Sequence, residues 1–145
     1  MTEKITIYQV LPRLYGNTVA NNIPGGDIHE NGCGKLGDFT PEALKRIKDF
    51  GFTHIWYTGV LEHATQTDYT TYGIAKDHPA VVKGKAGSPY AIKDYYDICP
   101  DLATVPEKRM KEFEALVRRT HKAGLKMLID FVPNHVARSY HSDAK

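Results

Sequence analysis

The sequence predicts an α/β fold on a parallel sheet, and three observations predict it. Three strand-like runs alternate with two helix-like runs along the 145 residues. The helix-like runs open on cap residues and close on glycine. The last strand-like run, residues 125–131, is nearly continuously apolar, as a strand covered on both faces should be. Strands alternating with helices imply parallel pairing through right-handed crossovers. The length suits one ordinary domain.

The elements follow in order. Ile5-Thr-Ile-Tyr-Gln-Val10 is rich in β-branched and aromatic residues and is stopped by Pro12. Residues 13–39 carry Gly and Asn and read as loop. Thr40 suits a helix N-cap and Pro41 the first helical position. Phe39 and Leu44 can form a hydrophobic staple across that cap, and Leu44 and Ile47 share one face. Gly51 closes the helix. Phe52-Thr-His-Ile-Trp-Tyr57 is the second strand. Residues 58–103 show little periodicity and are expected to be a structureless connection; one of that length is usually functional. It holds five of the nine tyrosines, Tyr69, Tyr72, Tyr90, Tyr95 and Tyr96, which suit plain packing or a glycan cleft. Thr104-x-x-Glu107 reads as a capping box opening the second helix. Met110, Phe113, Leu116, Val117 and Thr120 form its expected buried face, and Gly124 ends it. The third strand spans 125–131 and Pro133 stops it. No Gly-x-Gly-x-x-Gly follows the first strand. Of the two parallel architectures, a doubly wound sheet and part of a (β/α)8 barrel, the first loses its main support.

Composition excludes several functions. Nineteen basic and 17 acidic residues give a net charge of +2, too little to imply nucleic acid or an anionic membrane as partner. The two cysteines, Cys33 and Cys99, form no Cys-x-x-Cys pair and read as free thiols, with a single bridge as the alternative. No run approaches membrane-spanning length. No export signal is visible at the start, so a cytoplasmic location is the default. A chain relieved of its leader would read the same, which leaves the periplasm and secretion as alternatives.

In parallel α/β folds, function gathers at the carboxyl ends of strands. Asp130 ends the third strand, and Asn134 and His135 lie just beyond it. A carboxylate between Ile129 and Phe131 needs partners to offset its desolvation. Capping a turn or accepting from a backbone amide would satisfy that need as well as a catalytic role would. Tyr90 alone reads equally as an aromatic anchoring its loop. The histidines lack metal-ligand spacing, so core or surface positions suit them.

The run Asp130-Phe-Val-Pro-Asn134-His135 resembles the first signature of the α-amylase family of glycoside hydrolases. Three other stretches agree in order. Tyr8-Gln-Val-Leu-Pro-Arg13 resembles that family's first strand. Gly51-Phe-Thr-His-Ile-Trp-Tyr-Thr-Gly-Val60 resembles its Leu-Gly-x-Thr-x-Ile-Trp passage into the second strand. Tyr90-x-x-x-Asp94-Tyr95 resembles its Tyr-x-x-x-Asp-Tyr segment. Together they span nearly the whole chain.

The resemblance implies a partial TIM (β/α)8 barrel: strand, helix, strand, helix, strand, with a long connection between the second strand and the second helix. It implies that residues 1–145 are the N-terminal portion of the catalytic domain, since a complete barrel takes roughly 250 residues. His135 would then hydrogen-bond a sugar hydroxyl, and Tyr90 would stack on the same ring. Asp130 and Asp94 would support the site, and Asn134 would be a calcium ligand. Many endo-acting members carry Trp after the stacking Tyr and many exo-α-glucosidases carry Asp; Ala91 matches neither. The implied reaction is retaining cleavage of an α-glucan or maltooligosaccharide, which takes two carboxyl groups about 5–5.5 Å apart. In the family these follow the fourth and fifth strands, and a stabilising Asp follows the seventh. They are therefore expected beyond Lys145, and the 145-residue piece is expected to be inactive and to self-associate through open sheet edges. Two alternatives remain: a transglycosidase, in which a sugar hydroxyl resolves the same intermediate, and a non-catalytic relative serving in binding or as a transporter subunit.

Overall fold

The computed structural model describes residues 4–145. Its central sheet has three parallel strands in the order β1 (Ile7–Val10), β2 (His54–Tyr57), β5 (Lys126–Ile129). The strands pair in one register, so that Tyr8, Ile55 and Met127 form one row and Gln9, Trp56 and Leu128 the next. Successive rows face opposite sides. The Tyr8 row and the Val10–Tyr57–Ile129 row face helices α2 (Pro41–Asp49) and α3 (Arg109–Lys122). Leu36, Phe39, Leu44, Ile55, Tyr57, Leu116 and Leu125 fill the space between. Phe39 stacks on Tyr15 with ring centroids 4.2 Å apart and meets Tyr57 edge-on at 4.9 Å. Such pairs add to the burial of their area.

The expected α2 boundaries hold. Thr40 Oγ1 accepts from the Ala43 amide at 3.2 Å, Pro41 opens the helix, and Phe39 and Leu44 are both buried. Gly51, which follows the C-cap Phe50, takes φ +107°, a conformation that suits glycine. A short helix, α1 (Ile28–Asn31), interrupts the first loop behind an Asp27/Glu30 capping box. Among the described residues no helix is long and apolar enough to cross a membrane.

Four expectations are corrected. The connection 58–103 is not structureless: β3 (Leu61–His63) and β4 (Ile92–Ile98) pair as an antiparallel ribbon. Thr104 does not cap α3. A 3₁₀ turn at Pro106–Lys108 precedes the helix, and Glu112 reaches back instead, accepting from the Thr104 and Val105 amides at 2.9 and 2.8 Å. Met110 is 39% exposed, because this late start turns the first helical residues away from the sheet. Finally, β5 is not covered on both faces. It borders the sheet, and Phe131 beyond it is 74% exposed.

Candidate functional site

Asp130 stands at the carboxyl end of β5, one residue beyond Ile129, and so points to the face that carries Trp56 and Leu128. It is buried. The Trp56 indole donates to its Oδ1, and the Gly59 amide donates to its Oδ2 at 2.7 Å. Gly59 has φ +73°, and a Cβ there would lie 2.5 Å from Pro89 Cβ, so the turn leaving β2 requires glycine. Asp130 thus ties the end of β5 to that turn, and two donors offset the desolvation of its charge.

Asn134 and His135 lie in the exposed segment that follows, with His135 Nδ1 2.6 Å from Asn134 Oδ1. Tyr90 sits in the turn before β4, 44% exposed and outside the core clusters. The tertiary structure brings these stretches together. The Ala137 amide donates to the Ile92 carbonyl at 2.8 Å, the His141 amide donates to the Lys93 carbonyl at 3.0 Å, and the Tyr95 hydroxyl donates to the Val132 carbonyl. Tyr90 precedes Ile92 by two residues, and His135 precedes Ala137 by two. The pairing joins the segment after β5 to the start of β4.

Asp94 is fully buried on β4. Its Oδ1 accepts from the Tyr96 amide at 2.8 Å. Its Oδ2 accepts from Ser142 Oγ and the Asp143 amide, each at 2.9 Å, and from the Ala144 amide at 3.3 Å. It pins the segment after β5 onto the ribbon.

Two neighbours of Asp94 escaped the sequence reading. Glu62 lies directly across the ribbon from it, and Asp97 lies beyond it on the same strand. Burial pushes the Glu62 carboxyl up to about 7; Lys93 opposes the rise, and Asp97, Asp143 and Asp94 add to it. Arg109 Nε donates to both oxygens of Asp97 at 2.9 Å. A second polar hub centres on buried Asp101, which accepts from Arg13 Nη2 and the Tyr69 hydroxyl, each at 2.7 Å. His63, buried beside Arg13, is held below the usual histidine range by burial and by that guanidinium. No spacing in the sequence signals either group, because the members of each come from separate stretches of chain.

Polar side chains at the carboxyl ends of parallel strands, backed by helices on the other face, define an α/β chain of the kind that builds sites from its strand-end loops. The family model "Alpha amylase, catalytic domain" matches residues 9–144. The chain belongs to the alpha-amylase family. It is 31% identical over 109 residues to Maltase A1 of Drosophila melanogaster, covering 75% of this chain and 14% of the maltase. It is 26% identical over 140 residues to the cyclomaltodextrin glucanotransferase of Geobacillus stearothermophilus, covering 90% of this chain and 18% of that enzyme. Among solved structures, an alpha-amylase from Lactobacillus plantarum superposes with a TM-score of 0.63 at 28% identity, over 93% of this chain and 24% of that one. The chain therefore spans between about a seventh and a quarter of the length of these relatives.

Proposed function

We propose that residues 1–145 form the first β/α units of a (β/α)8 barrel that cleaves α-glucans or maltooligosaccharides with retention. The observation that carries this reading is the family match over residues 9–144, in which the Asp130–His135 run falls at the carboxyl end of a parallel strand. In this reading β1, β2 and β5 are the first three barrel strands. His135 donates to a hydroxyl of the sugar being cleaved, and Tyr90 stacks on the apolar face of that ring. Asp130 acts as a positioning residue through Trp56 and Gly59, and Asp94 through the segment 142–144. The nucleophile and the acid/base belong to strands beyond Lys145. Asn134 is one ligand of a calcium ion whose other ligands also lie there. Within residues 4–145 its amide oxygen pairs with His135 Nδ1 at 2.6 Å.

The similarity to a glucanotransferase supports a second reading, in which a sugar hydroxyl resolves the intermediate instead of water. Product analysis separates them: a transglycosidase makes oligosaccharides longer than its maltooligosaccharide substrate.

The test uses the longer protein that contains this chain, assayed on maltoheptaose. His135→Ala is expected to lower kcat/KM on the order of 100-fold, because hydrogen bonds to the reacting sugar strengthen in the transition state. Tyr90→Ala is expected to raise KM roughly 10-fold through lost stacking. The 145-residue chain alone is expected to show no turnover. Unchanged kinetics in both variants, or turnover by the short chain, would overturn the assignment.

A further inference from the structure

The segment that leaves β5 is held at both ends and free in the middle. Upstream, the Tyr95 hydroxyl donates to the Val132 carbonyl. Downstream, the Ala137 amide donates to the Ile92 carbonyl at 2.8 Å, and the His141 amide donates to the Lys93 carbonyl at 3.0 Å. Tyr95, Ile92 and Lys93 all lie on β4. Among the described residues no backbone hydrogen bond holds residues 133–136, and Pro133, Asn134, His135 and Val136 are exposed. His135 therefore takes its direction from the anchors on either side of it.

Those anchors differ in kind. The downstream pair runs backbone to backbone and does not depend on the side chains present. The upstream one hangs on a single hydroxyl, carried by a stiff support. The Tyr95 ring is half-buried against the core, with its centroid 5.7 Å from that of Phe131 and 5.8 Å from that of Tyr140. The link from the anchor to His135 is stiff as well. Pro133 fixes its own φ and restricts Val132 before it to extended backbone. Asn134 Oδ1, 2.6 Å from His135 Nδ1, limits the imidazole further. Asp130 fixes where the strand ends, through Trp56 and Gly59. The Tyr95 hydroxyl fixes the direction in which the chain then leaves.

We propose that Tyr95 is a positioning residue for sugar cleavage, its hydroxyl aiming His135 through the Val132 carbonyl and Pro133. The proposal rests on the reading that His135 binds the reacting sugar. One hydroxyl-to-carbonyl bond adds modestly to stability. Its effect on the reaction is larger, because a displacement of about 1 Å in a group that contacts the reacting centre can cost on the order of 100-fold in rate.

The test uses the longer protein that contains this chain, assayed on maltoheptaose. Tyr95→Phe keeps the ring contacts and removes only the donor. It is expected to lower kcat/KM roughly 10-fold, mostly in kcat, at temperatures where circular dichroism shows the variant folded. Incorporating 4-aminophenylalanine at position 95 restores a donor and should return kcat/KM to within about threefold of the unaltered enzyme. In a His135→Ala background, Tyr95→Phe should change kcat/KM less than about twofold, since the group it aims is gone. A merely structural role would give the same loss in both backgrounds, and that result would overturn the proposal. So would full activity of Tyr95→Phe beside an impaired His135→Ala, which leaves the reading of His135 standing. Unchanged kinetics in His135→Ala itself would instead remove that reading, and the proposal with it. If Tyr95→Phe does not fold, Pro133→Gly takes its place. It loosens the link between the anchor and His135 at an exposed position, and is expected to lower kcat/KM in the same His135-dependent way. Unaltered kinetics in folded Pro133→Gly would then overturn the proposal.

Discussion

Asp130 concentrates at one residue what holds the strand ends in place. Its two oxygens take hydrogen bonds from a backbone amide and an indole that belong to the neighbouring strand and its exit turn. Asp130→Ala leaves both donors without their acceptor, one of them buried. Each such loss costs about 1–3 kcal/mol, so the variant is expected to be destabilised by roughly 2–4 kcal/mol. Trp56 is the protein's one tryptophan, and it reports the change directly. Its emission should shift to the red in the folded variant while the urea midpoint falls. An unchanged midpoint and spectrum would mean that Asp130 does not hold this turn.

Between elements, the contact that fastens the sheet to its covering helix runs from β2 to α3. The Tyr57 hydroxyl lies 2.7 Å from Thr120 Oγ1, and burial pushes the phenol up to about 12. A tyrosine in the unfolded chain titrates near 10. The unfolded state therefore loses its proton first as pH rises. The contribution of Tyr57 is full below pH 10 and is lost between about pH 10 and pH 12. Tyr57→Phe is expected to flatten the fall of Tm across that window while costing about 1 kcal/mol at neutral pH through the stranded Thr120 hydroxyl. Tm profiles of the two proteins, read beside the phenolate absorbance, check this. An equally steep alkaline fall in the variant would assign the loss to other groups. The ribbon belongs to the same scale, and it was hidden in the sequence for a physical reason. Lys93, Asp94 and Asp97 are buried at positions where a strand pattern calls for apolar side chains. Their partners lie on β3, on α3 and beyond β5, so no local periodicity marks them.

For the molecule as a whole, the decisive feature is a three-stranded sheet covered on one side. Among the described residues β1 and β5 each pair on one edge only, and Ile5, Ile7, Ile129 and Phe131 are exposed beside them. Unpaired edges with apolar neighbours recruit further strands. The 16.3 kDa chain alone is expected to self-associate in sedimentation velocity, more so as concentration rises. A single sharp monomer boundary across a wide concentration range would contradict this.

The sequence by itself determined the alternation of strands and helices, the cap of α2, the parallel order of the sheet and the family. These rest on local signals: periodicity, capping chemistry and the Asp130–His135 run, each readable within a dozen residues. Tyr90, Asp94, Asp130 and His135 are proposed for the site through resemblance alone, since spacing left other readings for Asp130 and Tyr90 open. What only the tertiary structure decided depends on residues far apart in the chain. Asp130 found its partners at Trp56 and Gly59, Glu112 displaced the expected cap, and Glu62 came to face Asp94 across the ribbon. Charges buried together are set by which segments meet, and that information appears only when the chain closes on itself.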